Sequence, residues 1–167
     1  MRLLLPLLLA CSGDPEPAET GDTGDSGETV QSTTDFDCEP VNDPVCSEDF
    51  AFCGNVKIPT DYTGTPRMMA VALYETVPPL GPPNATLAEI EGPALTAGTC
   101  FPVVIQPMLE TGTYYLWVNL YMEGGGSFIP QNDTDYTGQS PEPLVLDSSV
   151  KTFEPIALEL ASGWPEL

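Results

Sequence analysis

Histidine is absent from all 167 residues, and Lys plus Arg number 4 against 25 Asp plus Glu. The first absence removes the commonest general acid–base near neutral pH and the commonest nitrogen ligand for zinc. It also excludes Ser-His-Asp and Cys-His nucleophile systems. The scarcity of bases speaks against nucleic acid as a partner, because grip on a phosphate backbone depends on Lys and Arg displacing counterions. It offers no attraction to anionic lipid headgroups either. A net charge of -21 leaves cationic partners and divalent cations as the electrostatically favoured ones. No stretch holds an apolar period of 3.6 residues, which argues against an α-bundle.

What the chain does hold is punctuation, with 19 Pro and 15 Gly, so many turns and few long helices are expected. Residues 1–10 combine Arg2, a leucine-rich run and the small Ala10, the parts of a secretory signal. That run is far shorter than the about 20 apolar residues a bilayer span needs. The segment Leu8-Leu9-Ala10-Cys11 resembles the lipobox of bacterial lipoproteins. The resemblance implies that Cys11 is acylated, becomes the first mature residue and ties the chain to a membrane through its lipid. Two or more acyl chains anchor stably where one binds marginally. Ser12, where that family's sorting rule reads Asp as inner-membrane retention, implies the outer membrane of a bacterial envelope, facing the periplasm or the surface. A cleaved secretory signal without lipid, or a buried apolar end, is the alternative.

Residues 11–36 read as the lipidated Cys and a tether. The stretch after Cys11 has seven acids, no base and a short triplet repeat, Gly21-Asp22-Thr23, Gly24-Asp25-Ser26, Gly27-Glu28-Thr29. Such composition buries too little surface to offset its conformational entropy. As a flexible chain it spans about 25–30 Å, more where charge repulsion extends it. Acids spaced by three differ from the alternating Asp-x-Asp-x-Asp of calcium loops, so a linker is favoured over a metal site.

Setting Cys11 aside leaves Cys38, Cys46, Cys53 and Cys100. An even number in an exported chain implies two disulfides, with three connectivities open. Cys38–Cys46 with Cys53–Cys100 is the favoured one, as a local closure and a long-range staple. A zinc site is disfavoured because the spacings lack Cys-x₂₋₄-Cys pairs.

Residues 37–167 read as one domain of short strands separated by Pro, Gly, Asn and Asp clusters. The expected strands are Phe52 to Ile58, Met68 to Glu75 (buried on both faces), Ala85 to Glu91, Phe101 to Leu109, Thr113 to Met122, Leu144 to Leu146 and Val150 to Leu160. About seven strands with period 2 predict an all-β antiparallel sandwich. The segment Glu110-Thr111-Gly112-Thr113-Tyr114-Tyr115-Leu116-Trp117-Val118-Asn119 resembles the turn-Gly-Thr-Tyr-strand step of transthyretin-like, carboxypeptidase-regulatory-like β-sandwich modules. That resemblance implies a structural or adhesive accessory domain. An immunoglobulin-like sandwich has much the same pattern.

Three candidate sites follow. In Thr113 to Met122 the face Tyr114, Leu116, Val118, Leu120, Met122 is apolar, which places Tyr115, Trp117 and Tyr121 on the outer face as a platform for stacking a ligand such as a sugar. Cover by another part of the protein is the competing expectation. The loop after that strand carries Glu123, Asn132, Asp133 and Asp135, oxygen donors for calcium, although the alternating ligand pattern is missing. The pairs Glu89/Glu91 and Asp133/Asp135 could serve carboxylate catalysis, but acids are abundant enough for close pairs to arise by chance. The resulting expectation is a non-enzymatic, membrane-anchored lipoprotein displaying a β-sandwich for binding or structural interaction with a protein or glycan partner. A calcium-stabilised module and a carbohydrate-binding protein are the alternatives.

Overall fold

The computed structural model describes residues 35–79, 81–105, 111–125, 129–147 and 152–164. The signal segment expected at 1–10, and all of the tether except Asp35 and Phe36, lie outside the described residues. Nine strands are described: β1 (Phe52–Lys57), β2 (Pro66–Tyr74), β3 (Ala85–Glu91), β4 (Cys100–Ile105), β5 (Gly112–Met122), β6 (Tyr136–Gln139), β7 (Leu144–Leu146), β8 (Ile156–Ala157) and β9 (Glu159–Leu160). The only helix among the described residues is a 3-10 turn, Pro44–Ser47. One sheet has the order β4-β1-β8 and the other β3-β2-β5-β6-β9, with β7 pairing the first residues of β5. The chain is an all-β sandwich.

Period-2 alternation builds its core. From the larger sheet, Met69, Val71 and Leu73 of β2 and Leu116, Val118 and Leu120 of β5 turn inward and are fully buried. Phe52, Val56, Val103, Ile105 and Ile156 meet them from the smaller sheet. Each such side chain contributes about 1.5–3 kcal/mol through burial. β1 is enclosed on both sides by β4 and β8, and Gly54 lets the Phe153 ring lie across it. A Cβ at that position would stand 2.5 Å from the ring, which also packs on Phe52 at 5.0 Å between centroids.

The disulfides are Cys38–Cys100 and Cys46–Cys53, not the favoured pairing of the sequence reading. Strand register is the reason. In the antiparallel β1–β4 pair Cys53 stands opposite Val104, whereas Cys100 stands opposite Lys57. Four residues of strand, about 13 Å, separate them, and a disulfide requires Cα atoms within about 7 Å. Cys46 reaches Cys53 from the 3-10 turn, which Asp43 opens by accepting the Val45 N–H at 2.9 Å. The 38–43 arm is held on the sheet by Cys100 and by the Asn55 amide, which donates to the Glu39 carbonyl at 2.8 Å.

Two further differences concern strands. Tyr136–Gln139 forms β6, a strand not among those expected, and the expected Val150 to Leu160 strand is divided. Ile156 and Ala157 pair with β1 in the smaller sheet, whereas Glu159 and Leu160 pair with β6 in the larger one. The chain changes sheets at the fully buried Leu158, whose N–H donates to the Lys57 carbonyl at 3.1 Å. Gly138 of β6 makes room for this corner, since a Cβ there would collide with the Ala157 carbonyl oxygen.

Candidate binding groove

The outer face of the larger sheet is organised in cross-strand rows. Partners in register share a face of the sheet. One row runs through Glu89, Ala70, Asn119, Thr137 and Glu159, from edge strand β3 to edge strand β9. The next holds Thr86, Ala72, Trp117 and Gln139, and a third holds Glu91, Met68 and Tyr121. Ala70 and Ala72 are the smallest side chains among Met68, Tyr74, Trp117 and Tyr121, so they cut a trough between larger neighbours. Prolines 78, 79, 82 and 83 of the β2–β3 loop, Pro141, Pro155 and the Ser162–Trp164 segment stand around it. The resulting groove has a volume of about 1110 Å³.

Trp117 and Tyr121 therefore lie on the outer face as expected, but not as an open platform. They are 8% and 4% exposed, and Tyr115 is half-buried and does not line the groove. Trp164 packs edge-on against Trp117 at 5.6 Å, and Tyr74 does so at 6.1 Å. Trp164 is fixed by Asn132, whose Oδ1 accepts the Trp164 N–H at 3.0 Å and whose Nδ2 donates to the Trp164 carbonyl at 2.9 Å. The Trp117 indole N–H is buried and has no acceptor. An unpaired buried donor costs about 1–3 kcal/mol.

Polar groups between the aromatics are already ordered. Thr137 Oγ1 donates to Asn119 Oδ1 at 3.0 Å, and Asn119 Nδ2 donates to the Tyr121 hydroxyl at 3.5 Å. Burial pushes the Tyr121 phenol above its ordinary pKa, as do Tyr74 and Asp135, while the Asn119 bond and Arg67 act in the opposite direction. Burial alone raises that of Tyr74. Both remain neutral hydroxyls at physiological pH. The Arg67 guanidinium stands over the Tyr121 ring at 5.6 Å and does not line the groove.

The four oxygen donors expected for calcium are deployed separately. Asp135 is 0% exposed, and its Oδ1 and Oδ2 accept the backbone N–H groups of Met122 at 2.8 Å and Gln131 at 2.7 Å. Asn132 holds Trp164, and Glu123 and Asp133 are exposed. Gly125 belongs to the same staple, since a Cβ there would collide with Asp135 Oδ1. Among the described residues no three His, Cys, Asp or Glu side chains are grouped to hold a metal ion. The Asp133/Asp135 pair does not form a dyad, with one member exposed and the other buried under backbone donors. Glu89 and Glu91 do share an exposed face of β3, and Glu89 reaches the groove.

Groove residues that sequence reasoning missed include Ala70, Ala72, Asn119, Thr137, Glu159 and Trp164. The alternation in Met68 to Tyr74 carried a signal for two of them, because its second face interposes small residues between large ones. Compared with known protein families, curated proteins and solved structures, the chain matches none. The fold and the groove thus define it at the level of a β-sandwich with a grooved sheet face.

Proposed function

We propose that this chain is a non-catalytic lipoprotein of the bacterial envelope, tethered by a lipid on Cys11, whose β-sandwich binds an elongated ligand in the groove over β2, β5 and β6. The observation that carries the reading is the trough at Ala70 and Ala72, flanked by aromatic side chains and walled by prolines. A largely apolar concavity with a few ordered polar groups is the usual form of a binding site. The two disulfides and the acidic stretch before the domain support export, since such bonds persist in oxidising compartments. The lipobox-like Leu8-Leu9-Ala10-Cys11 supports the anchor. Kinship with transthyretin-like accessory modules is supported by the Gly112-Thr113-Tyr114 step opening β5 in a two-sheet fold.

The two carboxylates that line the groove are spaced unlike a catalytic pair, and Glu91, two residues along β3 from Glu89, does not line it. Glu89 and Glu159 are four strand positions apart, about 19 Å. Paired glycosidase carboxylates work at about 5–9.5 Å.

Two measurements test the proposal. Mass spectrometry of the mature chain should find Cys11 as an acylated N-terminal residue; an unmodified Cys11 would overturn the anchor. The chain has 2 tryptophans, Trp117 and Trp164, and both line the groove, so intrinsic fluorescence reports on that site alone. Saturable change with an added ligand is expected. Ligand binding without any fluorescence change would contradict the assignment of the groove.

A further inference from the structure

The ends of the groove carry a second message. The five-residue row at its floor begins and finishes on a carboxylate, Glu89 on edge strand β3 and Glu159 on edge strand β9, both exposed. Between them lie Ala70, the Asn119 amide and the Thr137 hydroxyl, with no charge. Among the described residues no Lys or Arg lines the groove, and the chain as a whole carries -21. We infer that the occupant is an extended, basic peptide segment lying across the strands, with cationic side chains near both ends that reach Glu89 and Glu159. This inference rests on the binding role proposed above.

Three arguments select that class. Charge complementarity is the first: a field of this sign concentrates cations and repels acidic ligands, including a second copy of this chain and its own tether. Length is the second. An extended chain advances about 3.3 Å per residue, so about six residues cover the about 19 Å between the two carboxylates. Chemistry is the third. The groove between the two carboxylates is uncharged and largely apolar, which suits a peptide with apolar side chains between cationic ends and not a simple polyamine. A neutral oligosaccharide gains nothing from the charge at the two edges.

Titration calorimetry on the full chain tests this with three probes: a synthetic peptide of about seven residues with lysine at each end, its glutamate-ended counterpart, and a neutral oligosaccharide of similar length. Binding of the lysine-ended peptide alone is expected, weakened about fivefold or more in the double variant Glu89→Gln/Glu159→Gln and weakened by added salt. Both substitutions fall on exposed edge positions and leave the fold intact. If the lysine-ended peptide binds the double variant as tightly as the original, the inference is overturned. Oligosaccharide binding that ignores the two glutamates would overturn it as well, while leaving the groove as a binding site. No heat from any probe, with no change in tryptophan fluorescence, would overturn both readings.

Discussion

Asp135 and Met122 lie thirteen residues apart in sequence, and the Asp135 carboxylate accepts the Met122 backbone N–H at 2.8 Å where β5 ends. The other oxygen takes the Gln131 N–H at 2.7 Å, so one buried carboxylate closes the loop between β5 and β6. Its backbone continues the tie, the Ala161 N–H donating to the Asp135 carbonyl at 2.8 Å. Replacing Asp135→Ala leaves the buried Met122 donor and the part-buried Gln131 donor unpaired and should cost about 2–3 kcal/mol. Asp135→Asn sets an amide donor against one of those N–H groups and should cost somewhat less. Urea unfolding measures both; a loss under about 1 kcal/mol for the alanine variant would contradict the staple.

Calcium should not matter to that loop. Its acids are exposed, or satisfied by backbone donors, rather than convergent. Thermal unfolding with calcium and with EDTA is expected to give the same Tm. A rise with calcium would mean a ligand bound only by the folded chain.

The disulfides should differ in weight. Cys38–Cys100 closes a separation of 62 residues and Cys46–Cys53 one of 7. Loop-closure entropy assigns them about 4 and about 2 kcal/mol respectively. Unfolding of Cys38→Ser/Cys100→Ser and Cys46→Ser/Cys53→Ser variants should show the first as the more damaging. Peptide mapping should recover both pairings, and finding Cys53 joined to Cys100 would contradict the β1–β4 register.

Alkaline pH should expose the buried phenols. Burial raises the pKa of Tyr62, Tyr74 and Tyr121 above 10.0, with Tyr136 adding to the effect at Tyr62. The unfolded chain loses these protons first, so stability is full below about pH 10 and falls as pH climbs through the raised folded values. Phenolate absorbance in the native chain should show a late-titrating group, absent in urea. Coincident titration curves in both states would contradict the burial.

The β-architecture was legible because strand alternation is a local signal. Leu116, Val118 and Leu120 on one face of β5 predict a core side without knowledge of any partner, and Leu144–Leu146 and Ala85–Glu91 fall where composition puts them. Register was not legible, and the disulfide pairing, the divided last strand and the groove's row all follow from it. Cys53 and Cys100 are apart because of which residues face each other on β1 and β4. Ile156 to Leu160 alternates like one strand, yet the chain turns at Leu158 to serve two sheets. The groove depends on register in the same way: Glu89 and Glu159 are seventy residues apart, and only the order of five strands brings them onto one row. Trp164 escaped notice because its role depends on a clamp from Asn132, a tertiary contact without a local pattern.

Filling the trough should separate the groove from the fold. Ala70 is half-buried on the outer face between Glu89 and Asn119, away from the core. Ala70→Leu should leave unfolding within about 1 kcal/mol of the original while sharply weakening the lysine-ended peptide. Undiminished affinity would place the ligand elsewhere.

The central claim, that a ligand occupies the groove beside Trp117, is tested most directly by following the two indole N–H resonances in a ¹⁵N-labelled chain during titration with the lysine-ended peptide. The account predicts saturable shifts of both indole resonances as the peptide packs against Trp117 and Trp164. Saturable binding that leaves both indole resonances where they were would contradict it.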